Sequence, residues 1–249
     1  MTEKRYKIIA CEVFFREICS QLVNHSKTFD LEFLPKGLHD LGCERMKSRL
    51  QERLDVVPAG RYEAILLLYG LCNNGLCGLT SAHTKIVIPR SHDCIAIFMG
   101  GRAKYEEYFN SHPGTYYRTA GWIERESAEG AGEDTIMDKL GMTMKYAELV
   151  EKYGEDNAKY VMETMGVGAE HYDRITYINM GLDCDAGFCA MAKNEAEVKG
   201  WSFEVISGSF GIIRNLIDSR WDDDFLVIEP GSTIAPSYEK GVIKAVPCS

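Results

Sequence analysis

Short apolar runs alternate with helix-like segments along most of this 249-residue chain, and that alternation limits the folds it can adopt. Residues 6–10 form a compact apolar run that favours a buried strand, and residues 12–23 then place apolar side chains near helical spacing. The order recurs at residues 31–34 with 40–58, at residues 64–69, and at residues 86–88 with 93–109. Strands alternating with helices favour a mostly parallel sheet that is covered on both faces.

The chain divides most naturally near residue 125, because residues 124–134 are rich in glycine, serine and acidic residues. Residues 113–124, just before, are aromatic and punctuated by glycine, which favours an extended loop or hairpin. Residues 126–249 open with helical spacing over 137–165 and return to strand-helix alternation from residue 175. We therefore predict an α/β fold of two Rossmann-like halves, residues 1–125 and 126–249, with mostly parallel sheets and a cleft at the strand carboxyl ends.

Charge and composition narrow the class of protein. A net charge of −9 without any run of lysine and arginine argues against nucleic-acid binding, which depends on clustered basic residues. No apolar run approaches the roughly 20 residues that span a bilayer, and the N-terminus lacks a signal-peptide core. We expect a cytoplasmic protein whose nine cysteines are reduced thiols and not a disulfide framework.

Thiol, imidazole and charged side chains recur where four successive predicted strands end. A hydrophobic pattern does not require such residues there, so their recurrence indicates a site. Parallel strands bring their carboxyl ends to one edge of the sheet, where α/β proteins bind ligands. In strand order these residues are Cys11 and Glu12, then His39, then Cys72, and then Arg90, His92, Asp93 and Cys94.

The sharpest candidate is a metal site, because thiolate and imidazole together suit zinc. His92 and Cys94 are two residues apart, so in an extended segment they share a face and could bind one ion together. The chain has no paired C-x-x-C motif at this position, so two alternatives stay open: core thiols with a buried histidine, and thiols used in catalysis or redox chemistry. The candidate ligands are Cys11, His39, Cys72, His92 and Cys94.

Three charged residues are candidates for catalysis, and one loop is a candidate for binding. Glu12 follows Cys11 and could act as a general acid or base, although a carboxylate in the first turn also suits a helix N-terminus. Arg90 could bind an anionic substrate or hold a carboxylate such as Asp93, the third candidate. Gly208 and Ser209 lie between a strand and a helix, where backbone amides could receive a phosphate or carboxylate, although the loop lacks the lysine of a P-loop.

Five motifs are spread along the chain: Ala-Cys-Glu at 10–12, Tyr-Gly-Leu-Cys-Asn-Asn-Gly at 69–75, Pro-Arg-Ser-His-Asp-Cys-Ile at 89–95, Gly-Thr-Tyr-Tyr-Arg-Thr-Ala-Gly-Trp-Ile-Glu at 114–124 and Phe-Leu-Val-Ile-Glu-Pro-Gly at 225–231. Taken together, they resemble an uncharacterised bacterial and archaeal family of unknown function over nearly the whole chain. The resemblance implies an association with corrinoid-dependent methyltransferase systems. It therefore implies one-carbon metabolism, with a corrinoid or a corrinoid protein as cofactor or partner.

The leading hypothesis is a zinc-dependent enzyme of one-carbon metabolism that transfers a methyl group involving a thiol or corrinoid. The His92-X-Cys94 pair with a distant Cys72 is similar to the ligand spacing of zinc-dependent methyltransferases that activate a thiol, although those enzymes are barrels and this chain lacks eight βα units. The first alternative is a non-catalytic accessory protein that binds a metal, a corrinoid or a partner. The second is a metal-dependent hydrolase with Glu12 as base.

Overall fold

The computed structural model describes residues 4–72, 74–126, 172–237 and 242–248, and the side chains of His39 and Asp40 fall outside that description. The strands are β1 (Arg5–Cys11), β2 (Thr28–Leu34), β3 (Ala64–Leu68), β4 (Ile86–Pro89), β5 (Thr115–Arg118), β6 (Arg174–Asn179), β7 (Ser202–Ser207), β8 (Phe225–Ile228), β9 (Ser232–Pro236) and β10 (Ile243–Pro247). The α-helices are α1 (Phe15–Leu22), α2 (Cys43–Asp55), α3 (Cys94–Met99), α4 (Arg102–Ser111), α5 (Ala120–Glu124), α6 (Asp185–Lys199) and α7 (Gly211–Asp218), and Glu12–Phe14 and Lys36–Leu41 are 3₁₀ helices.

The larger sheet has five strands in the order β2-β1-β3-β4-β8, in which β8 alone runs antiparallel to its neighbour. The smaller sheet is parallel, in the order β5-β6-β7, and β9 pairs with β10 antiparallel. The predicted α/β fold with mostly parallel sheets is thereby confirmed. Each of the two larger sheets combines strands from both sides of residue 125, because β8 joins β4 and β5 joins β6.

Both faces of the five-stranded sheet are covered, as buried parallel strands require. Ile8 and Leu66 pack on one face with residues of α1, α3 and α7, whereas Ile9 and Ile65 pack on the other face with residues of α2. Burying each such side chain contributes about 1.5–3 kcal/mol. The central strands therefore form a rigid base, and the carboxyl ends of β1, β3 and β4 lie at one edge of it.

Two segments differ from their sequence-based predictions. Residues 113–124 are not a hairpin: β5 pairs in parallel with β6, and α5 follows with Thr119 as its N-cap. Local pattern cannot reveal a pairing partner more than fifty residues away. The helix predicted over residues 93–109 is two helices, because Gly100 and Gly101 adopt φ angles of +90° and +133° that break it.

The helices predicted over residues 137–165 lie outside the described residues. Within the described part of the chain, no helix is both long and apolar enough to cross a membrane.

Candidate functional site

The loops that follow β3 and β4 are joined through their backbones. The Leu71 amide donates to the Ser91 carbonyl at 2.8 Å, and the Cys72 amide donates to the His92 carbonyl at 3.0 Å. A Cβ atom on Gly70 would lie 2.5 Å from the Asp93 backbone, so only glycine permits this approach. The structure therefore holds Cys72 beside the segment that carries His92.

Cys72 itself adopts a left-handed backbone conformation, with φ of +42°. That conformation is uncommon for a residue other than glycine and costs free energy unless its surroundings impose it. Here residues that follow Cys72 hold the turn in place. The Gly75 amide donates to the Cys72 carbonyl at 3.1 Å, and Gly75 packs against Met46. Such strain is more common at functional sites than in ordinary turns.

A cavity of about 370 Å³ opens at these strand ends. This volume lies at the small end of the range for ligand sites, so the cavity suits a small molecule. Three thiols line it, from the last residue of β1, the turn after β3 and the first residue of α3. The lining residues are Cys11, Phe14, Lys36, Leu38, Met46, Tyr69, Gly70, Cys72, His92, Asp93, Cys94, Ile95 and Trp122.

The three thiols of the cavity hold their protons at neutral pH. Burial raises the pKa of Cys11 to about 12, and the neighbouring Glu12 charge acts in the same direction. Burial, and then the charge of Cys11, raises the pKa of Cys72 to about 12. Burial also places the pKa of Cys94 well above its ordinary value, with Cys72 as the next cause. Cys11 thus affects Cys72, and Cys72 affects Cys94, which agrees with their places in the lining of one cavity.

The hydroxyl group of Tyr69 is buried in the same cavity wall. Tyr69 directly follows β3, and its side chain is 3% exposed. Its hydroxyl has no hydrogen-bond partner among the described residues. Burial, and then the charges of Cys11 and Cys72, keep the pKa of Tyr69 well above its ordinary value. The phenol therefore remains a hydrogen-bond donor beside the thiols.

Trp122 and Lys36 also line the cavity. The Trp122 indole nitrogen donates to the Cys94 sulfur at 3.2 Å, and the Lys36 ammonium lies 4.9 Å from the centre of the indole ring. The position of α5 depends on Gly121, because a Cβ atom there would collide with the Val13 carbonyl. Two distant segments, the 3₁₀ helix Lys36–Leu41 and α5, thus complete the site.

His92 and Asp93 occupy the cavity wall in different ways. His92 is exposed, whereas Asp93 is partly buried and its Oδ1 accepts the Ala96 amide at 3.0 Å as the N-cap of α3. Asp93 therefore has a structural role in addition to its place beside the thiols.

Glu12, predicted as a base, does not line this cavity. Its Oε1 accepts the Lys36 amide at 2.7 Å, and its Oε2 lies 3.8 Å from the Arg125 guanidinium. Glu12 thus anchors the 3₁₀ helix that brings Lys36 to the cavity.

Arg90 also lies away from the thiols. Its Nε donates to the Phe225 carbonyl at 3.1 Å, and its Nη1 donates to the Ile243 carbonyl. These bonds tie the end of β4 to β8 and β10. The residue lines a small separate pocket that contains Asp224, and not the thiol cavity.

The backbone amides of the 208–211 loop are used within the fold. The Gly208 amide donates to the Asn179 carbonyl and the Ser209 amide to the Phe98 carbonyl, both at 2.8 Å. The Gly211 amide donates to Ser209 Oγ at 3.1 Å. Gly208 and Ser209 therefore join β6 and α3 to this loop, and neither residue lines the thiol cavity.

Of the five metal ligands proposed from sequence, the structure brings Cys11, Cys72, His92 and Cys94 to one cavity. His39 belongs to the 3₁₀ helix Lys36–Leu41, and its side chain is not described. Across the described ranges, no group of three or more His, Cys, Asp and Glu side chains is arranged to hold a metal ion. The thiols thus share a cavity without a preformed coordination shell.

Sequence reasoning missed Tyr69, Trp122 and Lys36. Tyr69 carried a usable signal, because it is the first polar side chain after a fully buried strand. Trp122 and Lys36 reach the cavity only through long-range packing, which a single sequence does not display.

These observations define an α/β protein with a small, thiol-lined cavity at the carboxyl ends of its central parallel strands. A family model described as a protein of unknown function, DUF1638, matches residues 33–217. Since this span covers well over half of the chain, the protein belongs to the DUF1638 family. The span includes Tyr69, Cys72, Cys94 and Trp122, whereas Cys11 precedes it. No curated protein and no solved structure matches the chain.

Proposed function

We propose that the cavity binds a thiophilic metal ion, with zinc as the first candidate, through Cys11, Cys72 and Cys94, and that a small molecule reacts or is held there. The observation that carries the proposal is the convergence of three thiols from separate strand ends on one cavity. Soft thiolate donors select zinc and similar ions over magnesium or calcium. His92, at the same cavity, is a candidate for a further ligand.

The raised pKa values of the three thiols affect how a metal ion would bind at this site. Neutral thiols are poor ligands, and these thiols are neutral at pH 7 without metal. Metal binding would replace their protons and turn the side chains toward one ion. A trithiolate site leaves a fourth position for a ligand, as catalytic zinc sites do.

Within this proposal, methyl transfer involving a thiol is the reaction that we favour. A metal ion lowers the pKa of a bound thiol and so supplies a nucleophile near neutral pH. A corrinoid is several times larger than the 370 Å³ cavity, so it would have to be presented at the cavity by a partner protein. The corrinoid part of this proposal is supported by the family resemblance and not by the cavity.

A non-catalytic accessory protein would use the same metal site but would show no turnover. The hydrolase alternative is weaker, because Glu12 bonds to the Lys36 amide and does not line the cavity.

The experiment is metal analysis of protein that is purified without chelator and then equilibrated with a small molar excess of zinc. We expect one tightly held zinc per chain in the wild type. Cys72→Ser and Cys94→Ser should each lower the zinc content severalfold, since serine is a poor zinc ligand.

Cys189→Ser is the matched control, because Cys189 is also partly buried but packs in the core of the smaller sheet. It should keep the wild-type zinc content. Absence of stoichiometric zinc from the wild type, or equal zinc in Cys94→Ser and Cys189→Ser, would contradict the proposal.

A further inference from the structure

We infer that Tyr69 is the hydrogen-bond donor that recognises the molecule bound beside the thiols, and that this molecule therefore carries an oxygen acceptor. This inference rests on the proposed function, because it takes the cavity as a ligand site. It goes further by giving the ligand a chemical class: a small molecule with an apolar body and an ether, carbonyl or carboxylate oxygen.

The Tyr69 hydroxyl is an orphan donor, a buried O–H group without a hydrogen-bond partner in the described chain. A buried hydroxyl without a partner costs free energy, so folded proteins nearly always pair it with protein or water. In the described part of the chain, the other buried side chains with an unpartnered polar atom are Glu17, Tyr117, Arg125 and Arg174, and none of them lines the thiol cavity. Tyr69 is thus the residue with an unpartnered donor among those that line a cavity large enough for a ligand.

The groups around the Tyr69 hydroxyl are weak hydrogen-bond acceptors or apolar side chains. Its neighbours Cys11 and Cys72 are sulfur groups, which are weak acceptors. Most of the remaining wall is apolar or aromatic, as Phe14, Ile95 and Trp122 illustrate. A ligand that fills such a cavity gains binding free energy by burying an apolar body. An oxygen acceptor placed at Tyr69 would also remove the free-energy cost of the unpartnered hydroxyl.

A rival role for Tyr69 is donation to a metal-bound thiolate of Cys11 or Cys72, which would tune the metal and not the ligand. The two roles predict different measurements. A residue that supports the metal should alter zinc affinity when changed to phenylalanine. If the residue instead binds the ligand, the same change should leave zinc affinity unaltered and should alter the relative affinity for different ligands.

The test uses two probe thiols of equal length, methoxyethanethiol and butanethiol, which differ by an ether oxygen in place of a methylene. Each is titrated calorimetrically onto wild-type and Tyr69→Phe protein, loaded with zinc and free of zinc. The affinity ratio is the affinity for methoxyethanethiol divided by that for butanethiol. We expect Tyr69→Phe to lower this ratio by about five- to tenfold, because the change removes one hydrogen bond to the ether oxygen. Zinc content should not change.

Tyr62→Phe is the matched control, because the Tyr62 hydroxyl donates to Asp30 at 2.6 Å away from the cavity. It should leave the affinity ratio unchanged and lower the urea midpoint of unfolding. Tyr69→Phe in the metal-free protein should unfold at the same urea concentration or a higher one, because its hydroxyl has no protein partner.

Each outcome decides a different claim. An unchanged ratio in Tyr69→Phe, or no binding of either thiol to the wild type, would overturn the inference while zinc binding still supports the proposed function. A loss of zinc affinity with an unchanged ratio would assign Tyr69 to the metal. If the wild type holds no zinc, the proposed function fails, and the ratio measured on metal-free protein decides the inference alone.

Discussion

The strand ends of the two sheets differ in how their polar groups are used. At the ends of β1, β3 and β4, Tyr69 and three cysteines line a cavity, and the Tyr69 hydroxyl has no partner in the described chain. At the carboxyl end of β6, by contrast, the polar groups of Asn179 and Asp185 are matched within the protein. Asp185 accepts from the Tyr177 hydroxyl at 2.6 Å and from the Leu182 amide at 2.7 Å.

The loop after β7 shows the same internal matching. The Gly208 amide and the Gly181 amide both donate to Asn179, at 2.8 and 2.7 Å. Polar residues at a strand end therefore do not by themselves indicate a ligand site. The distinguishing property is whether the fold already satisfies their hydrogen bonds, and among the described residues the Tyr69 hydroxyl at the thiol cavity is one that it does not satisfy.

The largest effect that would test this difference is the pH dependence of zinc binding at the thiol cavity. Each thiol must lose its proton to bind, and the pKa values of Cys11 and Cys72 are about 12. For each proton released, zinc affinity should therefore rise about tenfold per pH unit. Release of three thiol protons should raise it about a thousandfold per pH unit. Titration between pH 6 and 8 in buffers of different ionisation enthalpy counts the protons. Release of less than one proton would show that the thiols are not the ligands.

Glu17, in α1, is a buried acid whose pKa is affected by Asp185 of α6. Its side chain is 0% exposed, and both carboxylate oxygens lack partners in the described residues. Burial, with the Asp185 charge, raises the pKa of Glu17 to about 7, whereas Arg16 acts in the opposite direction and Glu124 adds to the increase.

A raised carboxyl pKa means that the folded protein holds the proton more tightly than the unfolded chain. The associated stability is therefore present at pH 4.5 and lost as pH rises through about 7. Relative to Glu17→Gln, the wild type should lose on the order of 3 kcal/mol of unfolding free energy between pH 4.5 and 8. Urea unfolding at several pH values measures this loss, and parallel pH profiles for the two proteins would refute it.

Gly70 tests whether the cavity depends on the contact between its two loops. A methyl group at Gly70 would press on the Asp93 backbone, so Gly70→Ala should lower the unfolding free energy by about 2–3 kcal/mol. Gly187→Ala in α6 is the matched control, because a Cβ atom there meets nothing within 4 Å. That change should instead stabilise the protein by about 0.5–1 kcal/mol. Equal effects of the two changes on denaturant unfolding would show that the loops are not held by this contact.

The smallest effect compares helix caps from the two regions. Asp93 caps α3 at the cavity and Thr119 caps α5 after β5, each by accepting a backbone amide. Asp93→Ala and Thr119→Ala should each cost about 1 kcal/mol of unfolding free energy. If Asp93→Ala instead lowered zinc content while Thr119→Ala did not, Asp93 would have a direct part in the site.

Much of the larger sheet was predictable because its strands are local apolar runs followed by amphipathic helices. The cluster of Cys11, Cys72 and Cys94 was predictable for the same reason, since parallel strands align their carboxyl ends. The strand β5 was not predictable, because it forms only by pairing with β6 across a long segment. Nor could the sequence show that the amides of Gly208 and Ser209 are used internally, because their acceptors belong to distant elements.

The central claim is that three thiols bind one thiophilic ion in the cavity, and zinc X-ray absorption of the loaded protein tests it most directly. The account predicts a shell of about three sulfur atoms at about 2.3 Å from zinc, which Cys189→Ser preserves and Cys72→Ser reduces. A shell that contains only nitrogen and oxygen at about 2.0–2.1 Å would contradict it.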